Sequence, residues 1–305
     1  MRLKNDSMIR IHLIDGTYEL FRAFYGAPSS VTGGGDEVGA TIAFVRSLLG
    51  LLQGSEVTHV SCAFDHVIES FRNDLFDGYK TGEGIDPLIL AQFELVEQAA
   101  QAIGVSYWPM IEFEADDALA SAAARWSVDS EVSQLLICTP DKDLAQCVTG
   151  QRVVCFDRRN RVMLDEDGVR SKYGVDPESI PDWLALVGDR TDGIPGIPGW
   201  GKKSAATILQ HYKHLEHIPR RADELVIQVR GARRLIHNLD KGWEAVQLYR
   251  RLATLRTDVE LGLTIDEIKW KGVPRPAFEQ LCHRLERPDL LEMVTRWARQ
   301  EGNQR

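Results

Sequence analysis

Three apolar segments of this 305-residue chain each run directly into an aspartate. Short apolar runs of this kind are typical of strands buried on both faces of a sheet. The stretches between them have helical periodicity, and one begins with Asp-Pro and ends at glycine. This alternation predicts an α/β fold with a mainly parallel central sheet flanked by helices. The strand segments are 9–15, 58–65 and 134–143, and the helical segments are 39–54, 86–104 and 114–126.

After about residue 180 the pattern changes from alternating strands and helices to helices joined by turns. Two more short strands are predicted before that point, at 105–110 and 152–157. The helices predicted after it lie at 202–212, 231–239 and 242–255. Ligands bind parallel sheets at the carboxyl ends of the strands. We therefore expect Asp15, Asp65 and Asp141, which follow three of the strands, to meet at one edge.

Further acidic residues cluster beside the same predicted strand ends. Each cluster has an ordinary interpretation as a helix cap or a turn, and one carboxylate would suffice for either purpose. Their number and shared location favour a different role, because gathered carboxylates repel one another unless cations neutralise them. The nine candidate metal ligands are Asp15, Asp65, Glu114, Asp116, Asp117, Asp141, Asp143, Asp189 and Asp192.

A ligand set made only of carboxylate oxygens indicates Mg²⁺ or Mn²⁺. There are more acids than one ion needs, so we expect two ions. A pair of such ions suits in-line displacement at phosphorus, in which one activates water and the other stabilises the leaving oxygen. A phosphodiester is therefore the expected substrate.

The segment "GIPGIPGWGKKSA" at 193–205 predicts a phosphate-binding loop. Gly196, Gly199 and Gly201 let the backbone approach a ligand closely, and the loop feeds a helix N-terminus, which favours anions. Lys202 and Lys203 add positive charge at the same place. Such a loop contacts the nucleic-acid backbone and reads no sequence. The alternative is a glycine- and proline-rich connector between two parts of the chain.

The net charge of −9 by itself argues against a nucleic-acid partner, but the charge is unevenly distributed along the chain. Residues 1–189 hold 30 acidic and 15 basic side chains, whereas residues 190–305 hold 15 and 21. The split fits an acidic part that binds cations and a basic part that binds phosphates, although chance variation of surface charge would also produce it. Five cysteines without a CxxC pair and the lack of a signal-peptide or membrane-spanning pattern favour a cytoplasmic protein with reduced thiols.

Six motifs in order resemble the bacterial 5′-3′ exonuclease and flap endonuclease family, the nuclease domain at the N-terminus of DNA polymerase I, here in a free-standing form. They extend from about Ile9 to Leu263 and are "LIDGTYELFRAF", "AFD…FRNDLFDGYK", "EADDALAS", "TPDKDLAQCV", "LALVGDRTDGIPGIPGWGKKSA" and "LATLRTDVEL". The resemblance implies a PIN-like, FEN-like sheet domain followed by a helix-hairpin-helix (H3TH) region. It also implies two-metal hydrolysis of DNA at 5′ flaps, nicks or 5′ ends.

The resemblance also implies roles for single residues. One metal group would use Asp15, Asp65, Glu114, Asp116 and Asp117, and the other Asp141, Asp143, Asp189 and Asp192. Residues 71–92 match a helical arch for a single strand. In it, Lys80 matches the lysine that polarises the scissile phosphate, Arg72 a phosphate-contacting arginine, and Tyr79 a residue that stacks on a base. Arg22 matches another basic residue near the site, and the glycine loop matches one that holds K⁺ through backbone carbonyls.

Together these patterns predict three parts: a nuclease domain at 1–180, a helix-hairpin-helix DNA-binding region at 181–262 and a helical C-terminal extension at 263–305. We expect a monomer whose partners are branched DNA and a separate DNA polymerase.

One position departs from the family pattern. An arginine usually follows the arch lysine by three residues, and here Glu83 takes its place in a glycine-rich segment. This leaves open a weakly catalytic or non-catalytic protein that binds branched DNA. A second alternative, a toxin-like or RNA-processing nuclease, would be shorter and would lack the glycine loop.

Overall fold

The computed structural model describes residues 8–299, and a six-stranded sheet lies at its centre. The strand order is β3-β2-β1-β4-β5-β6, and every neighbouring pair is parallel except β5 and β6. This confirms the mainly parallel α/β fold. The strands are β1 (Ile9–Asp15), β2 (His59–Asp65), β3 (Ser106–Met110), β4 (Val132–Cys138), β5 (Val153–Asp157) and β6 (Val162–Leu164).

Helices cover both faces of the sheet and form most of the rest of the described chain. No described helix is long and apolar enough to cross a membrane. The helices are α1 (Gly16–Gly26), α2 (Gly39–Leu52), α3 (Phe71–Leu75), α4 (Pro87–Leu90), α5 (Phe93–Ala102), α6 (Ala115–Trp126), α7 (Glu166–Tyr173), α8 (Ile180–Val187), α9 (Lys202–Tyr212), α10 (Ala232–Lys241), α11 (Trp243–Ala253) and α12 (Arg275–Arg284).

Strand β1 explains why the sheet is buried on both sides. Its side chains alternate, so Ile11 and Leu13 enter the core shared with α6, α8 and α9, whereas Ile14 enters the core formed by α2, α5 and α12. All three are fully buried. A central strand that is buried on both faces therefore needs helices on both.

Two predicted elements differ from the structure. The segment 86–104 forms two helices, α4 and α5, instead of one, because the chain turns at Ala91 and Gln92 between them. Buried Gln92 accepts hydrogen bonds from the backbone N–H and the hydroxyl of Thr41 on α2, which fixes this turn. The antiparallel strand β6 was not predicted, since it has three residues, too few to show a period.

The extension at 263–299 is only partly helical, in contrast to the expectation; residues 300–305 lie outside the described residues. Before α12 the chain runs beside the start of β2, where the Trp270 N–H donates to the Thr58 carbonyl and the Val60 N–H donates to the Ile268 carbonyl. This antiparallel contact ties the segment to the sheet. Helix α12 then packs on α5 and completes the second core.

Helices α8 and α9 are joined by a tight hairpin built on glycines. Gly188 and Gly196 lie back to back with φ of 82° and 72°, and a Cβ on Gly196 would be 2.5 Å from the Gly188 nitrogen. The Ile197 N–H donates to the Leu186 carbonyl at 2.9 Å, which closes the hairpin. Further along, Gly193 contacts Gly78 so closely that a Cβ would lie 2.0 Å from the Gly78 carbonyl oxygen. The hairpin therefore packs against the segment that follows α3.

We predict that Gly193→Ala destabilises the fold more than Gly84→Ala. Both glycines have positive φ, 75° and 84°, so each substitution costs about 1 kcal/mol in backbone strain. Only Gly193 also meets a backbone atom, whereas nothing lies within 4 Å of a Cβ on Gly84. The clash should add about 1–3 kcal/mol. Urea unfolding of the two variants measures the difference, and equal losses would show that the hairpin does not pack on Gly78.

Candidate metal centre

The carboxyl edge of the sheet carries Asp15 and Asp65, the last residues of β1 and β2. Asp15 caps α1, since its Oδ1 accepts from the Tyr18 N–H at 2.8 Å, and its Oδ2 accepts from the Thr139 hydroxyl at 2.9 Å. Asp65 Oδ1 accepts from the Ala115 N–H at 2.7 Å. This bond brings the first turn of α6 over the end of β2, and with it the acids of that turn.

Four carboxylates at this edge form no ion pair within residues 8–299. Asp15 is buried and the other three are half-buried. Burial raises the pKa of Asp15 to about 7, with Asp141 and Asp65 adding to the rise. Burial also raises the pKa of Asp116 well above its usual range, and Asp141, Asp15 and Asp65 contribute. Their repulsion indicates that four carboxylates lie near one another at this edge, and they are Asp15, Asp65, Asp116 and Asp141.

A second group lies beside the first. One carboxylate oxygen from each of Asp143, Asp189 and Asp192 falls within 4.8 Å of the others. Asp189 and Asp192 reach this position because the Asp189 and Ile194 backbones bond reciprocally at 2.7 Å, which closes a tight turn ahead of the hairpin. Burial raises the pKa of Asp143 well above its usual range, and the neighbouring Asp141 adds to this.

Lys80 joins three elements at the centre of the site. Its ammonium lies 2.6 Å from Glu114 Oε2 and 3.2 Å from Asp192 Oδ1, and its backbone N–H donates to the Asp192 carbonyl. Burial alone would raise the pKa of Glu114, but Lys80 and Arg72 outweigh it and the net shift is downward. Glu114 is thus an ionised partner that holds Lys80 among the acids.

In this structure Arg72 is not available for the predicted phosphate contact, because its side chain is 1% exposed and all its N–H groups are already used. Its guanidinium donates to both oxygens of Asp117 at 2.7 Å and to Glu114 at 3.0 Å. Its remaining N–H groups donate to the Leu252 and Thr254 carbonyls. Arg72 therefore connects α6 with the end of α11.

The same pair corrects the expectation that Asp117 is a metal ligand. Both of its oxygens are bound by Arg72, and they also accept from the backbone N–H groups of Glu114 and Arg256. The side chain is fully buried. With every acceptor position used, Asp117 positions its neighbours and offers no oxygen to an ion.

Two other predicted contacts do not fit the observed placement. The ring of Tyr79 is 5% exposed, and its hydroxyl lies 3.3 Å from Glu114 Oε2, so it cannot stack on a base in this conformation. Arg22 is paired with buried Glu19 on α1, which Arg158 also contacts. Its charge is neutralised within α1 rather than directed at the acids.

The glycine loop leads to a groove lined by basic residues. Gly199 has a φ of 85°, and Gly201 caps α9, whose first residues are the exposed Lys202 and Lys203. The groove has a volume of about 560 Å³, and Arg230 also lines it. The N-terminus of α9 and three cationic side chains thus line one surface.

Several residues of the site were not predicted from the sequence. Thr139 orients Asp15, Ser70 donates to Glu114 Oε1 at 2.7 Å, and Arg230 completes the groove. Lys142 lies 3.3 Å from Asp143 Oδ1 and also pairs with Asp189. The position of Lys142 between two site acids in "PDKD" is a sequence feature that could have identified it as part of the site. The others depend on contacts between distant segments.

The donor set fits divalent ions that prefer oxygen. Asp143 Oδ1 and Asp189 Oδ2 are buried, and among the described residues their one polar partner is the Lys142 ammonium. Among the described residues, the second group contains carboxylates alone, with no histidine or cysteine. Ligation by carboxylate oxygens alone suits hard divalent cations.

The chain is similar to several known proteins. The chain is 34% identical to DNA polymerase I of Pseudomonas aeruginosa over 95% of its length, but it spans only 32% of that protein. It is 29% identical to the 5′-3′ exonuclease of Aquifex aeolicus, covering 96% of this chain and 98% of the relative. It is 32% identical to the 5′-3′ exonuclease of Buchnera aphidicola, covering 84% and 85%.

Solved structures share the fold. The T5 5′-exonuclease with bound divalent zinc ions superposes with a TM-score of 0.65 at 18% identity, covering 93% of this chain and 99% of that one. The catalytic core of Rad2 in complex with DNA substrate gives a TM-score of 0.62 at 15% identity, covering 95% and 94%. Family models match residues 10–174 as the N-terminal resolvase-like domain and 175–276 as the C-terminal SAM fold of 5′-3′ exonucleases. The chain therefore belongs to the 5′-3′ exonuclease family.

Proposed function

We propose that this chain is a metal-dependent, structure-specific nuclease that hydrolyses phosphodiester bonds at 5′ flaps, nicks and 5′ ends of DNA. The observation that carries the proposal is the pocket of four carboxylates without an ion pair, which lies beside a second acidic group and is linked by one segment to a basic hairpin. Such a pocket is tolerable only with bound cations. Family membership supports the reaction class.

We assign Asp15, Asp65, Asp116 and Asp141 to one ion and Asp143, Asp189 and Asp192 to the other. Bound Mg²⁺ or Mn²⁺ would activate water and stabilise the leaving oxygen. Glu114 acts differently, because its oxygens are bound by Arg72, Ser70 and Lys80.

Lys80 is the residue that we expect to meet the scissile phosphate. Its ammonium is already held at the border of the two acidic groups, and burial is outweighed by Glu114 and Asp192, which keep its pKa well above the usual range. It therefore stays charged at any physiological pH. Exchange of its Asp192 contact for a phosphate oxygen would place the scissile bond between the groups.

The basic groove would hold the duplex part of the substrate through its phosphates. Residues 181–262 form this gripping region, and residues 1–180 carry most of the acids. The potassium ion at the hairpin loop, the monomeric state and the partner polymerase stay predictions. The non-catalytic alternative rests on Glu83, which is exposed on its turn and forms no ion pair or hydrogen bond with the site acids among the described residues. Its position affects the path of the free strand and leaves the candidate metal centre intact.

We predict that Asp116→Asn lowers flap cleavage at least about 100-fold in Mg²⁺ while DNA affinity changes little, because one ion loses a ligand. Asp167→Asn, an exposed aspartate on α7, serves as the control. Labelled 5′-flap, nicked and blunt duplexes with and without Mg²⁺ or Mn²⁺ provide the measurement. Full cleavage by Asp116→Asn, or metal-independent cleavage by the wild type, would contradict the assignment.

The double variant Lys202→Ala with Lys203→Ala should weaken DNA binding and reduce its salt dependence. Each lost phosphate contact lowers the slope of log K against log salt by about 0.9, so we expect a change of about 2. Lys269→Ala with Lys271→Ala, two exposed lysines outside the hairpin, should leave the slope unchanged. Binding isotherms on a catalytically inactive background at several salt concentrations test this, and parallel slopes would exclude the hairpin as a phosphate site.

Without divalent ions, stability should fall as the pH rises from about 4 to 7. The folded state raises the pKa of Asp15 to about 7 and that of Asp116 also well above its usual range, so it holds protons that the unfolded chain has already released. Mg²⁺ should reverse the loss, so its stabilising effect is larger at pH 8 than at pH 5. Thermal unfolding at matched ionic strength measures both effects. A Mg²⁺ effect independent of pH would argue against these ligands.

A further inference from the structure

Lys142 occupies the second acidic group without a role in the function proposed above. It precedes a 3-10 turn at Asp143–Cys147, and its ammonium lies 3.3 Å from Asp143 Oδ1 and pairs also with Asp189 Oδ2. Those two oxygens are buried, and the Lys142 ammonium is their one polar partner among the described residues. Lys142 is thus placed on the atoms that would otherwise be free to bind an ion.

The position of Lys142 differs from that of Lys80. Lys80 contacts Glu114 and Asp192, so it lies between the two groups and leaves Asp143 and Asp189 free. Lys142 forms ion pairs with two of the three acids of the second group and, within the described chain, with none of the first. Its side chain is 31% exposed, so the flexible four-carbon stem can carry the ammonium out to solvent.

We propose that Lys142 is a tethered cation that keeps the Asp143–Asp189–Asp192 group closed to divalent ions until its ammonium is displaced. The inference rests on the proposed metal-dependent function and concerns how the second ion is admitted. Because ion and ammonium compete for the same oxygens, the observed affinity is the intrinsic affinity multiplied by the fraction of molecules in which Lys142 is displaced. In the DNA-free protein the second ion therefore binds weakly.

The same geometry explains how the acids of this group are tolerated. Three carboxylates within 4.8 Å would repel one another in a buried setting, and Lys142 offsets part of this repulsion. Burial lowers the pKa of the lysine, but Asp143, Asp141 and Asp189 outweigh it, so it stays charged. A site closed by a mobile internal cation is stable without an ion and still able to accept one. The first group, which forms no such ion pair within residues 8–299, should take up its ion more readily.

The test is Mn²⁺ binding to the DNA-free protein, measured from the electron paramagnetic resonance signal of free Mn²⁺ and by calorimetry. With Lys142→Met, a neutral side chain of similar length, the second dissociation constant should fall about tenfold, as expected if Lys142 is displaced in about a tenth of molecules. The first constant should change by less than about threefold. Lys271→Met, an exposed lysine in the C-terminal segment, is the matched control.

Lys142→Arg keeps the positive charge, and it provides a second test in case Lys142→Met unfolds without ions. Its planar fork binds carboxylates at least as well as an ammonium, so the second ion should bind no more tightly than in the wild type. Thermal unfolding without ions should show Lys142→Met destabilised and Lys142→Arg near the wild type. An unchanged second constant in Lys142→Met, or a tighter second ion in Lys142→Arg, overturns the proposal.

These outcomes are separable from the proposed function. If the wild type cleaves a 5′ flap in Mn²⁺ while Lys142→Met binds the second ion no more tightly, only the role of Lys142 is lost. If the wild type takes up no Mn²⁺ and does not cleave, the metal centre itself is wrong, and this inference is overturned with it.

Discussion

Repulsion among carboxylates at one edge of the sheet is the constraint on which this site depends. Parallel strands deliver their carboxyl ends to the same place, and the acids that follow them cannot avoid one another. Three internal cations offset part of that repulsion: Arg72 at the start of α6, Lys80 at the border of the two groups and Lys142 in the second group. Within residues 8–299 none of the three forms an ion pair with the first group, and this is where we propose that an external cation binds.

Much of this could be predicted from the sequence because it is local. An apolar run that ends in an acid gives the strand, the sheet edge and the gathering of Asp15 and Asp65 there. The hairpin follows from its glycines, and α9 has the bounds predicted for it. Oxygen-only ligation follows from the residue types alone. No contact between distant segments is needed for these steps.

The corrections arise where a residue's partner lies far away in the chain. The sequence around Arg72 does not show whether the side chain faces a phosphate or Asp117, which lies 45 positions away. Its bonds to the Leu252 and Thr254 carbonyls decide the matter, because a buried guanidinium with all donors used has nothing to offer a ligand. Tyr79 likewise has a distant partner, because its hydroxyl donates to Glu114. Family resemblance places such residues near the site without stating which way they face.

The buried ion pair of Arg72 and Asp117 also connects the sheet domain with the helical region. Arg72 and Asp117 connect the first turn of the acidic helix α6 to the end of α11 in the helical region, through the Leu252 carbonyl and the Arg256 N–H. On the other side, the Asp192 carbonyl accepts from Lys80, and Gly193 packs on Gly78. The segment that carries Asp189 and Asp192 continues into the hairpin and Lys202. Since both connections are made by close-packed backbone and fully bonded charges, a duplex bound at Lys202, as we propose, would lie at a fixed distance from the acids. Position along the DNA is then set by the geometry of the protein, which is what cleavage at a structure rather than at a sequence requires.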